Sequence, residues 1–241
     1  MPATVMDPLT PASLARRIDH TILKPEATSA EVQRIVAEAM EHQFASVCVA
    51  PVWLGRVATM LKGSGVLACT VVSFPHGTSK ATLKAIEATS AIKEGAVEVD
   101  VVAHLPHLAN LDLDAARAEL LEVARAARAT SRESVIKVIV ESAYLLSLGA
   151  DRGERAIEVA CRAVRESGCD FIKTSTGFHP TGGASVEQVR LMKKYGEGLM
   201  IKASGGIRDL GGARAMLEAG ADRLGMSASV AVVEELKRAA R

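Results

Sequence analysis

FIKTSTGF (171–178) and MIKASGGI (200–207) are two short apolar runs that each carry one lysine and lead into a glycine-rich turn. Runs of this length, bounded by glycine, indicate buried β-strands. Lysine is rarely buried for packing alone, so Lys173 and Lys202 need a chemical reason for their positions. Two earlier strand-like runs repeat the anomaly, with Asp100 in VEVDVV and Lys137 in VIKVIVE. The sequence therefore predicts four charges that converge on one core, as in a catalytic centre.

Strand-like runs alternate with helical patterns along the whole chain. The predicted strands are residues 22–24, 46–50, 66–73, 97–103, 135–141, 170–175, 199–204 and 222–226. The predicted helices are residues 28–42, 78–94, 112–129, 151–167, 185–195, 209–219 and 229–240. Such alternation implies parallel strands joined by right-handed crossovers. A closed barrel is favoured over an open doubly wound sheet, because the chain lacks an early G-x-G-x-x-G turn. We predict an α/β fold, a single (β/α)8 TIM barrel over residues 1–241 with a short N-terminal helical extension.

Composition excludes several classes of partner. The formal net charge is +1 with mixed signs, which argues against a nucleic-acid groove or an anionic membrane surface. The N-terminal residues lack an apolar signal segment, and no run approaches the ~18 apolar residues of a membrane span. Four cysteines without a CxxC pair are typical of reduced thiols. We therefore expect a cytoplasmic enzyme that binds neither nucleic acid nor a membrane.

The two lysines of the opening runs suggest covalent chemistry. Because side chains alternate along a strand, Lys173 and Lys202 can both point into the barrel, near the strand ends where barrel enzymes keep their active sites. Two ammonium groups in a weakly solvated pocket are costly, so one pKa is expected to fall toward neutrality. A neutral lysine can attack a carbonyl and form a Schiff base. Asp100 then balances charge or moves protons.

Glycines after the late strands give a second signal. Backbone N–H groups there, with the helix N-termini at Asp209 and Ser229, would form an anion nest, and barrels often bind phosphate after their seventh and eighth strands. Each glycine taken alone is equally compatible with an ordinary turn. The glycines and the neighbouring serine are Gly177, Gly182, Gly183, Gly205, Gly206, Gly225 and Ser227.

Metal binding is not expected. His104 and His107 form an HxxH pair, but no third ligand stands at zinc-like spacing, and the segment between them is typical of a packed turn. Cys48 is either a pocket residue or a small buried hydrophobic residue.

These motifs together resemble deoxyribose-phosphate aldolase, a family of class I aldolases with the barrel fold. The resemblance covers nearly the whole chain, and the pair formed by FIKTSTG and IKASGGIR is its most specific part. The remaining matching motifs are IDHTIL (18–23), SVCVAP (46–51), TVVSFPHG (70–77), VEVDVV (97–102), IKVIVE (136–141) and LGMSAS (224–229).

The resemblance implies roles for individual residues. Lys173 would form the Schiff base, Lys202 would favour its neutral form, and Asp100 would join Lys202 in a proton relay. The reaction implied is reversible cleavage of 2-deoxy-D-ribose 5-phosphate to acetaldehyde and D-glyceraldehyde 3-phosphate, without metal or organic cofactor, in a possible homodimer or higher homo-oligomer. The substrate would contact Asp19, Cys48, Lys137 and Thr174, and its phosphate would contact Gly177, Gly205, Gly206, Gly225 and Ser227.

Three departures from the family pattern matter. Some members have lysine in place of Phe178 and serine in place of Ala228, so we expect the phosphate to be held mainly by donors that carry no full charge. Some members also end in a proton-donating tyrosine, whereas this chain ends in RAAR. Two alternatives remain open at this point: another class I aldolase acting on a different sugar phosphate, and a sugar-phosphate-binding barrel without turnover.

Overall fold

A closed parallel barrel forms the centre of the molecule. The computed structural model describes residues 9–239, and within them eight strands pair in chain order, with the eighth strand closing onto the first. The predicted (β/α)8 TIM barrel is confirmed. Strands β1–β8 span Ile18–Ile22, Ser46–Val49, Leu67–Val72, Glu98–Val102, Val135–Ile139, Phe171–Lys173, Met200–Ser204 and Arg223–Met226.

Helices surround the barrel. Among the described residues, none of them combines the length and apolarity needed to cross a bilayer. The first lies before β1, where the helical extension was predicted. Helices α1–α11 span Pro11–Ala15, Ser29–His42, Leu54–Leu61, Ala81–Lys93, Leu105–Ala109, Leu113–Thr130, Ser142–Leu146, Ala150–Glu166, Val186–Tyr195, Leu210–Ala219 and Ser229–Ala239.

The prediction fails at one strand and at three helices. The first strand is Ile18–Ile22 rather than 22–24, because its charged and polar residues Asp19 and His20 are buried and paired inside the fold. Helix α3, between β2 and β3, was missed because Gly55 in its first turn and Pro51 in the short 3-10 helix before it are turn signals. The short helices α5 and α7 were also missed. The last predicted helical residue, 240, and the RAAR end extend outside the described residues.

Strand β4 is buried on both faces, with apolar residues on one face and charged residues on the other. All five of its residues are buried. Val99 and Val101 belong to the apolar core, whereas Glu98 and Asp100 alternate with them and bind charged groups across the barrel interior. Apolar packing therefore lies outside the barrel wall and ionic contacts lie inside it.

One buried ion pair also lies outside the barrel. Lys84 of α4 pairs with Glu119 of α6, and its Nζ donates to the carbonyl oxygens of Gly77 and Val102 at 2.8 and 2.7 Å. The Glu119 carboxylate also accepts from the backbone N–H of His104 at 3.2 Å. These contacts fasten the loop after β3 to the end of β4.

The first prediction concerns this pair. Glu119→Leu is expected to lower the free energy of unfolding by about 3–5 kcal/mol, because the Lys84 ammonium would stay buried without its carboxylate. Glu166→Gln, which removes the carboxylate of an exposed pair with Arg162, is the control and should cost less than ~1 kcal/mol. Urea unfolding measures both values, and equal losses would contradict the prediction.

Candidate active site

The predicted convergence of four charges is confirmed. Strand register places Lys173 beside Lys202, and Asp100 beside Lys137. Asp100 is fully buried, and its Oδ2 accepts from Lys173 Nζ at 2.6 Å and from Lys202 Nζ at 2.7 Å. Its Oδ1 accepts from Lys137 Nζ at 2.9 Å. One carboxylate therefore joins three lysines from three different strands.

The electrostatics differ from simple repulsion between two lysines. Lys173 and Lys202 share one carboxylate oxygen instead of facing each other unpaired. Burial would raise the pKa of Asp100, but the surrounding ammonium groups hold it well below its ordinary value. Burial would likewise lower the pKa of Lys202, but Asp100 and Asp19 raise it well above its ordinary value. Both carboxylates therefore favour the protonated form of Lys202.

A second charged layer lies beneath Asp100. Glu98 accepts from Lys137 Nζ at 2.6 Å and from Arg223 Nη2 at 3.2 Å. Asp19 pairs with Arg223 at 2.5 Å and with Lys202 at 2.5 Å. Sequence reasoning missed Glu98 and Arg223 as site residues. The signal for Glu98 was present, since it stands two positions before Asp100 and shares its strand face.

A cavity of about 470 Å³ opens above this cluster. Lys173, only 3% exposed, is the residue of the ionic cluster that lines it. Of the other predicted site residues, Gly205, Gly206, Gly225 and Ser227 also line the cavity. Those outside its lining are Asp19, Cys48, Asp100, Lys137, Thr174, Gly177 and Lys202.

The loops after β6 and β7 touch through their backbones. A Cβ on Gly183 would lie 2.2 Å from the carbonyl oxygen of Gly205, so only glycine fits there. Thr174, directly after β6, also binds the end of β7: its hydroxyl donates to Ser204 O at 3.1 Å and accepts from Ser204 N at 3.0 Å. Gly205 and Gly206 have φ values of +86° and +82°, in the left-handed region that favours glycine. The glycine cluster therefore builds one wall of the cavity.

Full positive charge also reaches the cavity. Lys24, Arg34 and Arg208 line it, and sequence reasoning selected none of them. Lys24 and Arg34 pair with Glu31 and Glu38. Arg208 makes no hydrogen bond or ion pair with any other residue among 9–239. The expectation that the phosphate is held mainly by donors without a full charge stays a prediction. Arg208, directly after the GGI turn, is a charged residue of the cavity wall that sequence reasoning passed over.

Phe178 shapes the cavity rim. It lines the cavity while 48% exposed, and its ring meets that of Phe74 edge to face with centroids 5.3 Å apart. The side chain at position 178 therefore borders the space that a substrate would occupy.

The metal-like groupings do not favour an ion. His104 and His107 pack against each other with ring centroids 4.6 Å apart, and His20 binds Ser229 and Glu38. Across the described part of the chain, the cluster with ligand-like spacing is Cys48, Cys69 and Asp100, whose donor atoms lie within 4.8 Å of one another. A cation there would meet the three ammonium groups already on Asp100, and like charges repel.

Comparisons with known proteins agree with this geometry. The model of the DeoC/LacD aldolase family matches residues 14–232. A deoxyribose-phosphate aldolase of Caldanaerobacter subterraneus is 45% identical over 94% of this chain and 94% of its own length. That of Mycolicibacterium paratuberculosis is 47% identical over 94% of this chain and 98% of its own length.

A solved structure shows the same arrangement of the chain. The deoxyribose phosphate aldolase of Aeropyrum pernix, described as a tetramer, superposes with a TM-score of 0.84 at 33% identity, over 95% of this chain and 92% of its own. With the family match and the close relatives, this likeness extends over nearly all the barrel. The chain belongs to the DeoC/LacD family of aldolases and is a carbon–carbon lyase.

Proposed function

We propose that this chain is a deoxyribose-phosphate aldolase that reversibly cleaves 2-deoxy-D-ribose 5-phosphate to acetaldehyde and D-glyceraldehyde 3-phosphate. The observation that carries the proposal is the position of Lys173. Of the three lysines on Asp100, it is the one whose side chain lines the cavity. A carbonyl in the cavity can therefore reach its amine, and the curated relatives carry the same activity in their names.

The ion pairs support Lys173 as the Schiff-base residue. Lys173 pairs with one carboxylate, Lys202 with two and Lys137 with three. Each carboxylate favours the charged form of a paired lysine, and Lys173 has the fewest such partners of the three. Its neutral amine then attacks the aldehyde of the open-chain sugar, and loss of water gives the imine.

Proton transfer is assigned to Asp100 with Lys202. Cleavage of the bond between C2 and C3 requires a base to take the proton of the C3 hydroxyl, and leaves acetaldehyde on Lys173 as an enamine. Asp100 touches Lys173 Nζ directly, so it is placed to take a proton and return one. The Lys202 ammonium holds Asp100 in its ionised form between these steps.

The phosphate is assigned to the glycine wall and to the start of α11. Gly205, Gly206, Gly225 and Ser227 line the cavity, and backbone N–H groups at a helix N-terminus favour an anion. Arg208 adds a full positive charge beside them. Asp19, Cys48, Lys137, Thr174 and Gly177 support the site from outside the cavity lining.

The setting of the enzyme is part of the proposal. Its four cysteines are free thiols, which suits the reducing cytoplasm. The whole chain, 1–241, is taken as one catalytic domain, supported by a barrel that closes within residues 9–239. A homo-oligomer is supported by the tetrameric Aeropyrum pernix relative. Light scattering that gives the mass of a single protomer would contradict the last point.

The second prediction tests the nucleophile. After incubation with acetaldehyde and borohydride, the peptide that contains Lys173 should gain one ethyl group, because the reductant traps the imine on its amine. Mass spectrometry of the digest identifies the modified lysine. Lys173→Met should abolish trapping, and modification of Lys137 or Lys202 in the parent would contradict the assignment.

The same experiment separates the alternative functions. A barrel that only binds a sugar phosphate has no reason to form an imine, so it would not be trapped. A class I aldolase for a different sugar phosphate would be trapped by its own carbonyl substrate, and a panel of phosphorylated sugars assayed for cleavage identifies which one is preferred.

The third prediction tests Asp100. Asp100→Asn keeps the side-chain shape but removes the base, so turnover should fall by about 10²-fold or more. Asp170→Asn is the control, since that carboxylate binds Arg128 outside the barrel interior, and its turnover should change little. Steady-state rates are compared in variants whose circular dichroism matches the parent. Unchanged turnover in Asp100→Asn would remove it from the relay.

The fourth prediction concerns phosphate preference. Phe178→Lys should raise the ratio of kcat/KM for 2-deoxyribose 5-phosphate over 2-deoxyribose, because a charge-assisted contact contributes ~1–3 kcal/mol. Arg208→Gln should lower the same ratio by removing a cation from the cavity wall. If neither variant changes the ratio, the phosphate lies elsewhere.

A further inference from the structure

An ionic network inside the barrel holds one more cation than anion. Seven charged side chains form it, linked by ion pairs of 2.5 to 3.5 Å. Four are basic and three acidic, so full ionisation leaves one unbalanced positive charge in a buried space. The members are Asp19, Glu98, Asp100, Lys137, Lys173, Lys202 and Arg223.

An unbalanced buried charge is costly, and loss of one proton removes it. Lys173 is the member that lines the cavity and that has a single ionic partner. Lys137 and Lys202 are held by several carboxylates, and Arg223 does not lose its proton in proteins. The excess charge of the whole network therefore acts on the proton of Lys173.

Resting on the aldolase function proposed above, we propose that Glu98 and Arg223 are positioning residues that set the net charge of the barrel interior and, through it, the protonation of Lys173. Neither lines the cavity, so neither touches the substrate. They act by fixing how many opposing charges share the space beneath Asp100.

The geometry of the lower layer supports this role. Glu98 binds Lys137 Nζ at 2.6 Å and Arg223 Nη2 at 3.2 Å, so it neutralises two cations that do not line the cavity. Arg223 occupies Asp19 Oδ1 and lies over the Phe171 ring, 5.7 Å from its centroid. Asp100 Oδ2 is therefore left for Lys173 and Lys202 alone.

Every strand contributes a titratable group to this interior. Cys48 and Cys69 complete the set, on β2 and β3, and both are free thiols. Asp100 on β4 contacts Lys173 directly, and through it the network adds Asp19 on β1, Glu98 on β4, Lys137 on β5, Lys202 on β7 and Arg223 on β8. The other charged groups around Lys173 are Glu141, buried after β5, and the cavity-lining Lys24, Glu31, Arg34 and Arg208. All of these are unchanged in the variants.

Opposite changes of charge give opposite expectations. Glu98→Gln removes a negative charge, so Lys173 should lose its proton more readily, and the pH profile of imine formation should move to lower pH. Arg223→Met removes a positive charge, so Lys173 should hold its proton, and the profile should move to higher pH. A unit charge roughly 6 to 12 Å away, at an effective dielectric constant of about 20, corresponds to a shift of about one to two pH units. A purely structural role would not produce shifts of opposite sign.

The double variant Glu98→Gln with Arg223→Met provides the rescue. Two carboxylates and three lysines remain, so the excess is again one positive charge, and the profile should return to that of the parent. Glu119→Gln is the matched control: it removes a buried carboxylate that pairs with Lys84 outside the barrel, and it should leave the profile in place.

The experiment measures the rate of borohydride-trapped acetaldehyde on Lys173 against pH in the parent and the four variants. Opposite shifts with a restored double variant support the inference. Shifts of the same sign, or none, overturn it. If one single variant is not recovered folded, the other single variant and the double variant still decide. The pH profile of the single variant must be displaced from that of the parent, and the profile of the double variant must coincide with it. A parent that is not trapped at all refutes the proposed function instead.

Discussion

One buried carboxylate organises this molecule. Asp100 has two oxygens, and between them they accept hydrogen bonds from three lysine ammonium groups on neighbouring strands. An unpaired buried ammonium is costly, so the lysines remain inside only because Asp100 and its neighbours neutralise them. The same pairing leaves Lys173 with the fewest opposing charges of the three. The contacts that keep the lysines buried therefore also set how much opposing charge each amine meets.

Close packing keeps the lysines in place. A Cβ on Gly225 would lie 3.0 Å from Lys202 Cε and 2.9 Å from Ser204 Cβ, so the absence of a side chain on β8 makes room for the lysine of β7. At the cavity wall, the absence of a side chain on Gly183 makes room for the backbone of Gly205 in the same way. Glycine thus serves two purposes in this barrel. It lines the cavity at positions 205, 206 and 225, and it lets neighbouring elements approach closely enough to position charged side chains.

The apolar core and the ionic centre are separated by the barrel wall. Residues such as Val99 and Val101 pack outside it, while Glu98 and Asp100 on the same strand point inward. Alternation along a strand produces this division, and it explains why sequence reasoning found the strands and most of the buried charges together. It failed at β1, because the polar residues Asp19 and His20 obscure the apolar pattern of that strand. It also failed at α3, because Gly55 and the preceding Pro51 are typical of a loop.

The sequence by itself determined the alternation of strands and helices, and it marked Lys173, Lys202, Asp100 and Lys137 as charges in buried strands. These are local properties, readable from the spacing of apolar residues and from the rarity of buried lysine. The tertiary structure alone decided which charges touch, because Asp100 and Lys202 lie 102 positions apart in the chain and meet only when the barrel closes. For the same reason, only the fold shows that Glu98 and Arg223 complete the network and that Arg208 reaches the cavity.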